Sequence, residues 1–186
     1  MTTNRPSPTL RRGTAVLYLI LTATLWSTSG LLVKMLDWRP ISIWAGRSTI
    51  AFLVFLAYLR RIPRRRPTWA QIIAGVCFLS TQLLFITSNK LTTAANAIFL
   101  QYTAPVYIVL LAAWFLDERP TRADWLTMGV IFIGLFFFFG DDLNLDGMIG
   151  NGLALLSGIT LAGMNVAMRA QKGTSPAETI MLGHLA

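Results

Sequence analysis

An all-α polytopic membrane fold is what this 186-residue sequence predicts, and three observations carry the prediction. Apolar residues make up 54% of the chain and charged residues 13%, with a mean hydropathy of +0.58, which is more apolar and less charged than soluble domains are. The apolar residues fall in runs of about 20, the length that crosses a hydrocarbon core at about 1.5 Å per residue. The basic residues gather between those runs. In detail, the sequence predicts a five-helix repeat and the start of an inverted second repeat, with six full transmembrane helices and a partial seventh.

Composition also excludes. A net charge of +8 in a soluble protein would raise nucleic acid as a partner, but here the arginines lie between apolar spans without interleaved aromatics to hold phosphates. No nucleic-acid partner and no cofactor are expected. Cys77 is the only cysteine and falls inside a span, so the chain can form no disulfide or thiolate-metal framework of its own. There is no nucleophile with a paired base, no metal-ligand cluster and no glycine-rich phosphate loop, which argues against an enzyme and against an ATP-driven pump. All eight carboxylates fall in loops or at helix ends, so no buried acid is in place for simple proton antiport.

The tail, residues 1–13, is polar and basic through Arg5, Arg11 and Arg12. Thr14 to Val33 is too long for a signal-peptide core and reads as a retained first helix. Trp26 near its end is either an interfacial anchor or a cavity wall. After Lys34, Asp37 and Arg39, Pro40 suits the first turn of a second helix reaching about Leu59. Arg47 is the one charge inside a span, about 10 Å from that helix's start. Its guanidinium must turn inward, to meet an anionic solute group or a free carbonyl, or snorkel outward.

Arg60, Arg61, Arg64, Arg65 and Arg66 form a loop that fixes topology. Thr68 and Gln71 form a capping box before a third helix ending near Ser88, on which Gly75, Leu79, Gln82, Ile86 and Asn89 share a stripe. Gln82, the polar member, is either an interhelical hydrogen bond or a solute contact.

Ala94 to Leu116 is long enough to span, yet it holds Asn96, Gln101, Thr103 and Pro105, which at that depth belong among protein or water. Asn96, Leu100, Thr103 and Tyr107 share a face. Pro105 has no N–H for the carbonyl of Gln101, which is left for another partner. Asp117 and Glu118 end the span, Glu118 ordering the turn with Arg119, Thr121 and Arg122. Thr121 and Asp124 cap a fifth helix that runs from about Arg122 to Phe139. An acidic loop (Asp141, Asp142, Asp146) and a sixth span from Met148 to Met168 follow.

Counted by alternate sides, one side takes 12 of the 16 Lys and Arg and the other takes 3, with Arg47 the remainder. That bias places the N-terminus in the cytoplasm. Laying the sixth span on the first puts Ala15, Leu19, Ala23 and Ser27 on Gly150, Ala154, Gly158 and Ala162, a largely small stripe in both. Pro40 is answered by Pro176, inside a Ser175 to Glu178 capping box. The odd number of spans between the copies inverts the second one. About ten residues of a seventh helix precede Ala186, too few to cross; His184 lies there with no visible partner for proton transfer.

The Asn-bearing helix start, the mid-helix Ala104-Pro105-Val106 and the run Phe115 to Gly129 (FLDERPTRADWLTMG) resemble the fourth and fifth helices of EamA-type transporters of the drug/metabolite transporter superfamily. The resemblance implies ten helices in two inverted five-helix repeats around a central cavity, of which this chain would be a C-terminally truncated form. The missing helices or another copy would complete the cavity. The function implied is secondary transport of a small polar metabolite or drug-like molecule across the cytoplasmic membrane by alternating access, as exporter or exchanger. Its expected partners are a small-molecule substrate and the lipid bilayer. The predicted cavity wall is Trp26, Arg47, Gln82, Asn96, Gln101, Thr103, Pro105 and Tyr107. The alternatives are a membrane scaffold or transport-inactive fragment, in which the amides satisfy one another, and an integral-membrane enzyme acting on lipid.

Overall fold

The computed structural model describes residues 12–59, 67–140, 147–171 and 176–185. The arginine run at 60–66, the acidic loop at 141–146 and Ser175 of the expected cap lie outside the described residues. Within them the chain forms α1 (Arg12–Met35), α2 (Pro40–Leu59), α3 (Trp69–Leu91), α4 (Ala94–Gln101), α5 (Ala104–Phe115), α6 (Arg122–Gly140), α7 (Met148–Ala170) and α8 (Pro176–Leu185). Five stretches among the described residues are long and apolar enough to cross a membrane: α1, α2, α3, the α4–α5 pair and α7.

Local chemistry sets the helix starts. Thr68 Oγ1 accepts from the Gln71 amide at 3.3 Å while Gln71 Oε1 accepts from the Thr68 amide at 2.9 Å, a reciprocal box that satisfies two orphan donors. The Thr121 amide donates to Asp124 Oδ2 at 2.7 Å and the Asp124 amide to Thr121 Oγ1 at 3.3 Å. Pro40 and Pro176 open α2 and α8 at the position where a missing N–H costs nothing. Gly147 precedes α7 with φ +107°, a conformation that a side chain would strain, and its carbonyl accepts from Asn151 N at 2.9 Å.

The fourth span is not one helix. Pro105 cannot donate to Gln101, and its ring disfavours a helical approach from the preceding turn, so the chain breaks at Tyr102–Thr103. There Thr103 N bonds Leu100 O at 3.2 Å and Val106 N bonds Thr103 O at 3.0 Å, both at i→i−3 spacing. No backbone amide in the turn reaches the Gln101 carbonyl.

The centre of the fold is α7 against α3, held by small residues rather than bulky ones, as lipid offers no hydrophobic drive for helix pairing. Gly150, Ala154, Ser157, Gly158 and Ala162 are all buried on α7. A Cβ on Gly150 would come within 2.9 Å of Leu91 C and Thr92 N, so the α7 backbone lies directly on the α3–α4 corner. Thr81 and Thr160 hydroxyls meet at 2.8 Å between α3 and α7. The matching stripe of α1 has other surroundings: Leu19 is 69% exposed and Ala23 is exposed, because α1 touches its neighbours through its C-terminal half, at Gly30 and Val33. α2 and α8 pack on a neighbouring face of α3, and α6 touches α5 at only a few points.

Contacts between loops pair the helix ends by side. Lys90 Nζ donates to Leu36 O and Thr92 Oγ1 to Asn151 Oδ1 at 2.7 Å at one end, while Arg169 meets Glu118 at 3.0 Å at the other. Glu118 thus ties the α5–α6 turn to the end of α7, and among the described residues it forms no ion pair with Arg119 or Arg122.

Candidate functional site

A cavity of about 160 Å³ lies between α2, α3 and α8. Residues 44, 47, 48 and 51 fall on one helical face, so α2 presents Trp44, Arg47, Ser48 and Ala51 to it. From α3 come Gln82 and Ile86, four residues apart on the stripe that the sequence marked.

The third wall depends on glycine. A Cβ on Gly183 would lie 2.8 Å from Phe78 Cδ1 and 3.4 Å from Gly75 O, so α8 approaches α3 closely only because position 183 is bare. That approach seats His184 against α3 and α2 together. Its ring stands edge-on to Phe78 with centroids 4.7 Å apart, and its Nδ1 is 3.3 Å from Ser48 Oγ. Trp44 packs beside the buried Val33, Ile43 and Ile86, and its indole Nε1 is buried with no hydrogen-bond partner among the described residues. Arg47 borders the cavity, remains exposed and makes no ion pair among the described residues.

The structure therefore brings Arg47 and Gln82 to one cavity and puts the other predicted residues elsewhere. Gln101 Nε2 donates to Ser157 Oγ at 3.2 Å, and that hydroxyl donates to Ala154 O at 2.7 Å, joining the helix break to α7. Thr103 is buried and donates to Leu100 O at 2.6 Å. Gly158 sits against the free carbonyl: a Cβ there would be 3.2 Å from Gln101 O. That carbonyl is thus met by the bare backbone of α7, not by Arg47. Asn96 Nδ2 reaches Thr92 Oγ1 at 3.5 Å, a long contact at the α3–α4 corner. Pro105 and Tyr107 are half-buried in α5, and Trp26 is 67% exposed, away from the cavity.

Sequence reasoning missed Trp44, Ser48 and His184. Helical spacing from Arg47 was a usable signal for Trp44 and Ser48; His184 has the partners Ser48 and Phe78 that no linear reading could supply.

The Gln101–Ser157 pair carries a stability prediction. Ser157→Ala strands the Gln101 amide at mid-span and is expected to cost about 1 kcal/mol, typical of a hydrogen bond between membrane helices. A lowered thermal unfolding midpoint of the reconstituted protein checks it, and an unchanged midpoint would mean that the pair contributes nothing.

Residues 13–140 match the family model described as the EamA-like transporter family. No curated protein and no solved structure matches the chain. The match takes in α1 to α6, so the helices that furnish Arg47, Gln82 and the broken fourth span all fall inside it. With most of its length covered by that model and five spans apolar enough to cross a bilayer, the chain is an integral membrane protein of the drug/metabolite transporter type and belongs to the EamA-like transporter family.

Proposed function

We propose that this protein works as a secondary transporter of a small polar solute, acting as exporter or exchanger by alternating access across the cytoplasmic membrane. In this reading the N-terminus is cytoplasmic, α6 is the fifth crossing and α7 the sixth, and α7 and α8 open an inverted second repeat. The single observation that carries the reading is the cavity where Arg47, Gln82 and His184 converge within apolar helices. An arginine inside a span is costly, and its usual justification is a solute or ion path. Arg47 and Gln82 contact the solute. Gln101, Thr103 and Pro105 act through the helix break, a broken helix near mid-depth being a common element of secondary-transporter sites.

One observation favours the scaffold alternative: the Gln101 amide donates to Ser157 within the protein instead of facing the cavity. Flux separates the two. Liposomes carrying the protein and loaded with a mixture of unlabelled polar metabolites are expected to take up labelled members of that mixture by counterflow. Uptake equal to that of empty liposomes across the whole mixture would leave the scaffold reading standing.

A further inference from the structure

We infer that the cavity between α2, α3 and α8 seats the headgroup of a monocarboxylate; this rests on the transporter reading and specifies which solutes that site takes. The polar residues that line it supply mainly donors. The Arg47 guanidinium offers five N–H groups and no acceptor. The buried Trp44 indole offers one N–H that meets no acceptor among the described residues. Ser48 and the His184 Nδ1 already engage one another, and among the described residues no Asp or Glu lines the wall. A buried donor left unpaired is costly, and an acceptor-rich solute removes that cost.

Charge narrows the class. One guanidinium balances one negative charge; a dianion would bring an uncompensated charge into a span, and a neutral solute would leave the guanidinium uncompensated. Geometry narrows it again. A planar carboxylate accepts two parallel N–H groups from one guanidinium and keeps lone pairs for the indole. The remaining wall, Ala51, Ile86 and the Trp44 ring, is apolar, and a volume of about 160 Å³ suits a body of a few carbons.

The test measures thermal unfolding of the full chain in lipid nanodiscs against rising concentrations of propionate with propionamide and lactate with lactamide. Methyl phosphate serves as the dianion. The two carboxylates are expected to raise the unfolding midpoint, since a ligand that binds only the folded state stabilises it, and the amides and methyl phosphate are not. Trp44→Phe keeps the ring and removes the N–H, so the apparent affinity for lactate should fall about tenfold, as for a lost hydrogen bond to a charged group. Arg47→Gln is expected to abolish the response, and if that variant does not insert, Trp44→Phe decides alone. Equal protection by the amides, stronger protection by methyl phosphate, no protection by either carboxylate, or full affinity in Trp44→Phe would overturn the assignment. The transporter reading is judged apart: liposomes that take up other members of the metabolite mixture while no carboxylate binds sink only this inference, and liposomes that take up nothing from the whole mixture sink both.

Discussion

Arg47→Ala abolishes solute flux and leaves the amount of protein in the membrane unchanged: that is the expected result of removing the one charge held within a span. The fold offers no reason for the protein to be lost, because Arg47 has no ion pair among the described residues and its removal strands no buried partner. The site does offer a reason for the loss of flux. Each charge-assisted hydrogen bond to a solute is worth about 1.5–3 kcal/mol, so losing a two-pronged contact weakens binding by at least about a hundredfold. Arg47→Lys keeps the charge without the planar fork and should fall between wild type and alanine. Counterflow beside an immunoblot of the membrane fraction reads both quantities. If abundance drops along with flux, Arg47 holds the helices together rather than the solute.

Gly150→Leu is expected to prevent α7 from docking. The atoms that a Cβ would meet, Leu91 C and Thr92 N at 2.9 Å, belong to backbone and cannot swing aside as a side-chain tip would. α7 would have to lift from the α3–α4 corner, giving up the Thr92–Asn151 hydrogen bond with it. Overpacking typically costs about 1–3 kcal/mol and more where backbone must move, a large share of the roughly 5–15 kcal/mol that holds a protein folded. Gly152 is the internal control, since nothing lies within 4 Å of a Cβ there; Gly152→Leu should fold as well as wild type. The comparison is made by the fraction that survives thermal challenge in mild detergent. Equal survival of the two variants would show that the α7 contact is not as tight as its geometry says.

The sequence disclosed those features whose cause is local. The Thr68–Gln71 and Thr121–Asp124 boxes and the prolines at 40 and 176 act within one turn of chain, so they could be read directly and stand where they were expected. Arg47 and Gln82 were visible for another reason: polar groups are expensive within apolar spans, so each one present calls for a cause. Irregularity around Pro105 was equally legible, but its form was not. The break falls at Tyr102–Thr103, upstream of the proline, since the steric conflict is with the preceding turn.

What stayed hidden depends on which helix faces which. Gln101 and Thr103 carry the same polarity whether they border a cavity or α7, and only the bareness of Gly158 tells that α7 lies there. His184 became part of a site because Gly183 lets α8 approach Phe78, a fact about two helices distant in sequence. Trp44 is an ordinary apolar residue of a span until its indole nitrogen is found enclosed.

The Tyr102–Thr103 turn has a mechanical consequence. An unbroken rod moves as one body, whereas α4 and α5 are joined by a single short elbow of chain and lean on different companions, α4 on α1 and α3, α5 on α6, with α7 shared by both. Both arms rest chiefly on α7, so a shift of α7 reaches both of them, and the elbow is the point at which the chain can bend to follow it.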